Sequence, residues 1–150
     1  MTTKPEFVYV TWIQAPIERV WDALKDAELT KQYWGVHRNV SDWQVGSEWK
    51  HVDYDDETKV AVQGKVLVHE PPHTLSFTWQ SRSHGEASSA TRVTFTLVEA
   101  FGATKLTLIH EGLADTRKGP VVEGWSAILS SLKTLLETGK PMPATTRRWG

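Results

Sequence analysis

Val121, Val122, Trp125, Ile128, Leu129, Leu132, Leu135 and Leu136 recur at three- and four-residue spacings through residues 119–138. That spacing lays one wide apolar stripe along a helix. At about 1.5 Å per residue the helix is roughly 30 Å long. Gly139 and Pro141 follow in the order that ends a helix. So long a greasy stripe must be covered, and only the rest of the chain can cover it.

The cover is written in segments of period two. Residues 6–14, EFVYVTWIQ, are β-branched and aromatic and read as a strand. From about residue 36 to 111 apolar and polar residues alternate. Val60, Val62, Gly64, Val66 and Val68 are expected on one face, until Pro71-Pro72, which cannot donate to a ladder, breaks the strand. Leu75, Phe77 and Trp79 alternate with Thr74, Ser76 and Thr78. Thr91, Val93, Phe95 and Leu97 alternate with Arg92, Thr94 and Thr96, and Leu106, Leu108 and His110 with Lys105, Thr107 and Ile109. These are half-buried antiparallel strands. Residues 81–89, SRSHGEASS, read as a hairpin loop between two of them.

After the first strand, Pro16 stands at a first helical position, where its missing N–H costs nothing. Ile17, Val20, Trp21 and Leu24 then share one helical face. Asp26 can cap a second short helix carrying Leu29 and Tyr33, and Gly35 ends it. The order is strand, two short helices, a run of strands and one long helix. It predicts an α+β fold: a curved antiparallel sheet gripping the long C-terminal helix, with the short helices plugging one end. One domain is expected over 1–139, followed by a flexible tail over 140–150.

A chain of 150 residues buries about 70% of the surface its unfolded form exposes, so a real core is possible. There is no Cys, which removes disulfides, thiolate nucleophiles and zinc–thiolate sites and fits a reducing, cytoplasmic location. A net charge of −1 gives no electrostatic reason for a nucleic-acid partner. Arg147-Arg148-Trp149 is too short to supply one. The start, MTTKPEFVYVTWI, does not read as a signal peptide, and no apolar run is long enough to span a membrane.

His110 shares strand parity with Leu106 and Leu108 and should point inward. A neutral imidazole there can orient a ligand or act as a base. It can equally be a core histidine bonded to backbone or near Glu111. His51 and Asp53 share parity with Trp49. An inward Trp49 would make them an acid–base or ligand pair on the same wall. The plainer expectation is two strand-end polar residues in solvent. The six His show no HExxH or other tight ligand spacing. No GxSxG elbow and no phosphate-cradling glycine loop is present. No cofactor and no metal is therefore expected.

Eight Trp in this length are hard to leave on a surface. Trp21, Trp79 and Trp125 lie on core stripes by pattern, and Trp34 and Trp43 flank the exit of the second helix. Each ring can bury some 150–250 Å². Rings from sheet, short helices and long helix converging on one interior suggest the wall of a ligand cavity, with Trp34 and Trp43 at its mouth.

IQAPIERVWDAL, Tyr33-Trp34-Gly35, SDWQVGSEW, GKVLVHEPPHTLSFTW, LTLIHEGL and GWSAILSSLKTLLETG occur in this order. Together they resemble the activator of heat-shock protein 90 ATPase homologue family, within the START/Bet v 1-like (SRPBCC) superfamily. The resemblance covers roughly residues 6–139 and implies a helix-grip domain. The superfamily includes binders of apolar ligands, polyketide cyclases and lipid carriers. The family name implies a chaperone partner. Many members carry an acidic residue where this chain has Val68, which implies a more apolar interior there.

The leading expectation is a small-molecule binding domain for an apolar or aromatic ligand. Trp49, Val66, Phe77, Trp79 and Phe95 would line the site. Leu108, Trp125 and Leu129 would complete it, with His110 orienting the ligand. The alternatives are a protein-binding module that stimulates a chaperone ATPase, and a cyclase- or hydrolase-like enzyme using His110 with Asp53.

Overall fold

The structure is a computed structural model. It describes residues 6–35, 37–81, 90–113 and 115–143, with only the backbone for 115–120 and 122. Strand β1 (Glu6–Ile13) is followed by helices α1 (Ile17–Lys25) and α2 (Ala27–Tyr33). Strands β2 (His37–Val40), β3 (Glu48–Asp53), β4 (Val60–Glu70), β5 (Thr74–Ser81), β6 (Thr91–Ala100) and β7 (Ala103–Glu111) come next, and helix α3 (Asp115–Thr138) closes the order. The strands form one antiparallel seven-stranded sheet in the order β1-β7-β6-β5-β4-β3-β2. The sheet curls as a half-barrel around α3, the helix-grip arrangement. Among the described residues no helix is long and apolar enough to cross a membrane.

α3 begins at Asp115, four residues before the apolar stripe predicts. Its buried apolar side chains, among those described, are Trp125, Ile128, Leu129, Leu132, Leu135 and Leu136, and each joins the same core as the inner face of the sheet. Burying one such side chain is worth about 2 kcal/mol. Val122 of the stripe lies outside the described side chains. At the edge strand β1, α3 also supplies polar caps: Lys133 Nζ donates to the carbonyl of Trp12, and Gln14 N–H donates to Glu137 at 2.8 Å. Covering edge groups in this way removes a template for stray strand pairing. Past the helix, Met142 N–H donates to buried Ser131 Oγ, so residues 140–143 turn back onto α3; 144–150 lie outside the described residues.

The short helices fold as their caps direct. Asp26 Oδ1 accepts from the N–H groups of Glu28 and Leu29 at 2.8 and 3.2 Å. Pro16 sits at the cap of α1 rather than at its first helical residue, and its carbonyl accepts from Arg19 and Val20. Tyr33 Oη donates to Ala23 O at 2.6 Å and ties α2 to α1. Most of the expected hairpin loop, residues 82–89, is outside the described residues.

Two register shifts alter what simple alternation predicts. Val66 pairs with Phe77, but Val68 pairs with Ser76, so Leu67 bulges out. A bulge adds one residue and inverts the facing of the residues after it. Val68 therefore leaves the inner face, and His69 takes its place beside Leu75 and against Trp21, ring centroids 5.6 Å apart. Val68 says nothing about how apolar the interior is. A second shift, between His51 and Val52, leaves Ala61 of β4 as the extra residue, and beside it three successive residues of β3, His51, Val52 and Asp53, are all buried.

Gly64 marks a point where strands come too close for any side chain. A Cβ there would lie 1.9 Å from Thr78 O. That same carbonyl accepts the indole N–H of Trp49 at 2.7 Å, and Thr78 Oγ1 accepts from Lys65 N–H. Gly64→Ala is expected to lower stability by about 3 kcal/mol or more, through the backbone clash and the lost Trp49 bond. Gly124, inside α3 with open space around it, is expected to do the opposite, gaining about 0.5–1 kcal/mol as Ala. Urea unfolding midpoints of the two variants against wild type check both signs.

Candidate functional site

The inner face of the sheet and α3 bring the aromatic residues into one body. Trp49 of β3 packs on Phe77 of β5 at 4.4 Å and on Trp79 at 5.6 Å. Phe77 meets Phe95 of β6 at 6.1 Å, and Phe95 meets the edge of Trp125 of α3 at 5.8 Å. Trp79 lies at the hub: Trp125 is 5.3 Å away, His110 5.5 Å, Trp34 6.5 Å and His51 6.5 Å. Val66, Leu108 and Leu129 belong to the same cluster and are buried. The rings around Trp79 are buried, whereas Trp79 itself is only half-buried. The wall thus meets solvent at Trp79.

Trp34 and Trp43, paired by sequence at one mouth, separate. Trp34 caps α2 and enters the hub, its ring edge-on to Trp125 at 5.3 Å. Trp43 touches Phe77 and lines a different space, an open cleft of about 600 Å³ between α1, α2 and β2. Asp22, Lys25, Leu29 and Asn39 also line that cleft.

His110 is held by a closed hydrogen-bond chain. Trp125 Nε1–H can only donate, and it reaches His110 Nδ1 at 3.0 Å. Nδ1 must therefore carry the lone pair, and the proton of the neutral ring sits on Nε2. Nε2–H faces Thr91 Oγ1 at 2.7 Å, and Thr91 in turn donates to Trp79 O at 3.0 Å. One chain links α3, β7, β6 and β5. Burial pushes the His110 pKa from 6.5 down to about 4. Both nitrogens are engaged, so in this arrangement His110 has no lone pair with which to act as a base. Its partners are Trp125 and Thr91 rather than backbone or the Glu111 side. Thr91, on the inward parity of Val93 and Phe95, carried the only sequence hint of this.

His51 and Asp53 are not in solvent, where the plainer expectation puts them. They are 5% and 2% exposed: His51 and Asp53 lie on the parity of Trp49, which is itself fully buried. His51 Nδ1 contacts Asn39 Oδ1 of β2 at 2.7 Å. Its ring stacks on His37 at 4.7 Å and lies 5.0 Å from Trp34. Burial, and then the nearby His37, hold its pKa well below the ordinary value. Asp53 is paired across the sheet with His37, and its Oδ1 accepts from Asp55 N–H. Among the described residues no group of three or more His, Asp or Glu is placed to hold a metal ion.

Residues 14–137 match the family described as Activator of Hsp90 ATPase homolog 1-like protein. The chain belongs to this family. Solved structures share the fold across almost the whole chain. ChR145 from Cytophaga hutchinsonii is 27% identical, with 93% of this chain and 98% of that one covered and a TM-score of 0.74. MLL2253 from Mesorhizobium loti is 25% identical, covering 89% and 97%, with a TM-score of 0.75. DynU16, from the dynemicin biosynthetic locus, is 24% identical with a TM-score of 0.74; 91% of this chain aligns to 48% of that one, so this chain spans about half of it. No curated protein matches the sequence.

In this family member the two buried histidines set a pH response. A histidine whose folded pKa lies below its unfolded value takes up protons more readily when unfolded. Its stabilising effect is complete above about pH 6.5 and is lost as pH falls towards about 4. For His110 alone the loss is on the order of 3 kcal/mol, and His51 adds in the same direction. Denaturant midpoints between pH 7.5 and 4.5 are expected to fall accordingly. Trp125→Phe removes the donor to Nδ1, so His110 should titrate at higher pH in an NMR experiment, and the acid-linked loss should shrink.

Proposed function

We propose that this chain is a small-molecule binding domain that takes an apolar or aromatic compound against the inner wall of the sheet. The observation that carries the reading is Trp79: it is the hub of the interior rings and also the ring that reaches solvent. Ligand sites are mostly apolar with a few placed polar groups, and that composition fits here. Trp49, Trp79 and Trp125 form the aromatic part of the site. Val66, Phe77, Phe95, Leu108 and Leu129 form the apolar floor. His110 acts through Trp125, whose indole it holds in place. The fold is shared with a protein of the dynemicin biosynthetic locus, which fits the same reading. With both nitrogens of His110 occupied, binding accounts for the geometry better than base catalysis at that residue.

The family description supports a second reading, a module that stimulates a chaperone ATPase. It is checked by assaying that ATPase with saturating protein, where an unchanged rate removes it.

For the binding reading, native mass spectrometry of the purified protein is followed by tryptophan-fluorescence titration with naphthalenes, fatty acids and sterols. Saturable quenching by at least one class is expected. Its affinity should fall about tenfold or more in Trp79→Ala, once circular dichroism shows that the variant is folded. Silence towards every class would overturn the proposal.

A further inference from the structure

The hub contains both satisfied and unsatisfied polar groups, and the difference is informative. Trp49 Nε1–H donates to Thr78 O, and Trp125 Nε1–H donates to His110 Nδ1. The indole N–H groups of Trp34 and Trp79 meet no acceptor among the described residues. His51 uses Nδ1 on Asn39, and its second nitrogen likewise has no partner among them. A polar atom sealed in the core without a partner costs roughly 1–3 kcal/mol. Among the described residues only Arg38 Nε is sealed in this way. The two indole N–H groups and His51 Nε2 are not among the sealed atoms, so each is open to a partner that the described residues do not supply.

These atoms sit on neighbouring rings. Trp34 and Trp79 are near-parallel, 21° apart, with centroids separated by 6.5 Å. The His51 ring is 5.0 Å from the first and 6.5 Å from the second. Asn39 presents its carbonyl oxygen to His51 Nδ1, so Nδ1 carries the proton and Nε2 the lone pair. Nδ1 is turned towards β2, which leaves Nε2 on the side of the ring away from that strand. Burial keeps the ring neutral, so the lone pair is available at neutral pH. The rim thus offers one acceptor and two donors around an aromatic surface, with no net charge among them.

We infer that the ligand is a neutral planar aromatic compound carrying both a hydroxyl and a carbonyl group, the hydroxyl donating to His51 Nε2 and the carbonyl oxygen accepting from the indole N–H of Trp34 or Trp79. The inference rests on the binding reading above and narrows it. An aliphatic chain would leave all three groups unpaired.

The probes are 2-acetyl-6-hydroxynaphthalene, its methyl ether 2-acetyl-6-methoxynaphthalene, and 2-ethylnaphthalene, titrated by tryptophan quenching. The hydroxy ketone should bind about three- to tenfold more tightly than the methyl ether, which cannot donate. The ether, keeping its carbonyl, should bind more tightly than the hydrocarbon. In His51→Phe, which retains a ring for stacking, the ratio between hydroxy ketone and ether should collapse to about one. The wild-type series needs no variant, so it stands even where His51→Phe fails to fold. Equal affinity for all three compounds would overturn this inference while leaving the binding reading in place. Failure of all three to bind would overturn it together with an aromatic-ligand reading. A ratio that survives in folded His51→Phe would remove His51 from the role.

Discussion

Pressing an apolar helix into the concave face of a sheet excludes water from everything between them, and every polar atom caught there must then find a partner from the other layer. Trp125 and His110 meet this demand for each other. The indole can only donate, the imidazole must then accept, and the choice passes down the chain to Thr91 and the carbonyl of Trp79. One helix-to-sheet contact thereby sets a tautomer and the orientation of a ring in the central wall. Trp49 solves the same problem within the sheet by reaching Thr78 O, which is possible because Gly64 leaves no Cβ in the way.

That satisfied interior gives meaning to the groups left over. A protein core pairs its polar atoms because the low-dielectric interior makes each omission costly. Among the described residues the indole N–H groups of Trp34 and Trp79 and Nε2 of His51 have no partner, and they belong to three neighbouring rings. The core rings behind them keep the site rigid, and preorganised groups bind with less loss on ordering. The same layout separates roles that residue types alone would merge. Both buried histidines are neutral, but His110 is consumed by the fold, whereas His51 keeps one nitrogen for something else.

Much of the fold is legible in one dimension because the hydrophobic effect is periodic along regular elements. The α3 stripe, the alternation from Leu75 to Trp79 and from Leu106 to His110, and the Asp26 cap all predict what is observed. Alternation fails at the bulge beside Leu67 and at the shift after His51, since an extra residue leaves no mark in a hydrophobic pattern. The candidate wall can be drawn from parity, but its hub and rim cannot. Pattern alone does not decide whether His51 joins Trp49 on the wall or lies in solvent, and it puts Trp43 at the same mouth as Trp34; the structure buries His51 and gives the two Trp different surroundings.

The sequence by itself determined the architecture: which segments are strands, which helix is gripped and, away from the bulge beside Leu67, which faces turn inward, because each follows from local spacing of apolar side chains. Only the tertiary structure decided which polar atoms are paired. The Trp125–His110 bond and the His51–Asn39 contact join residues on different elements, at distances set by register and curvature together. Hydrogen bonds form or fail over a few tenths of an ångström, a scale that no residue spacing encodes. The family resemblance lies in the spacing, and the candidate ligand chemistry lies in those distances.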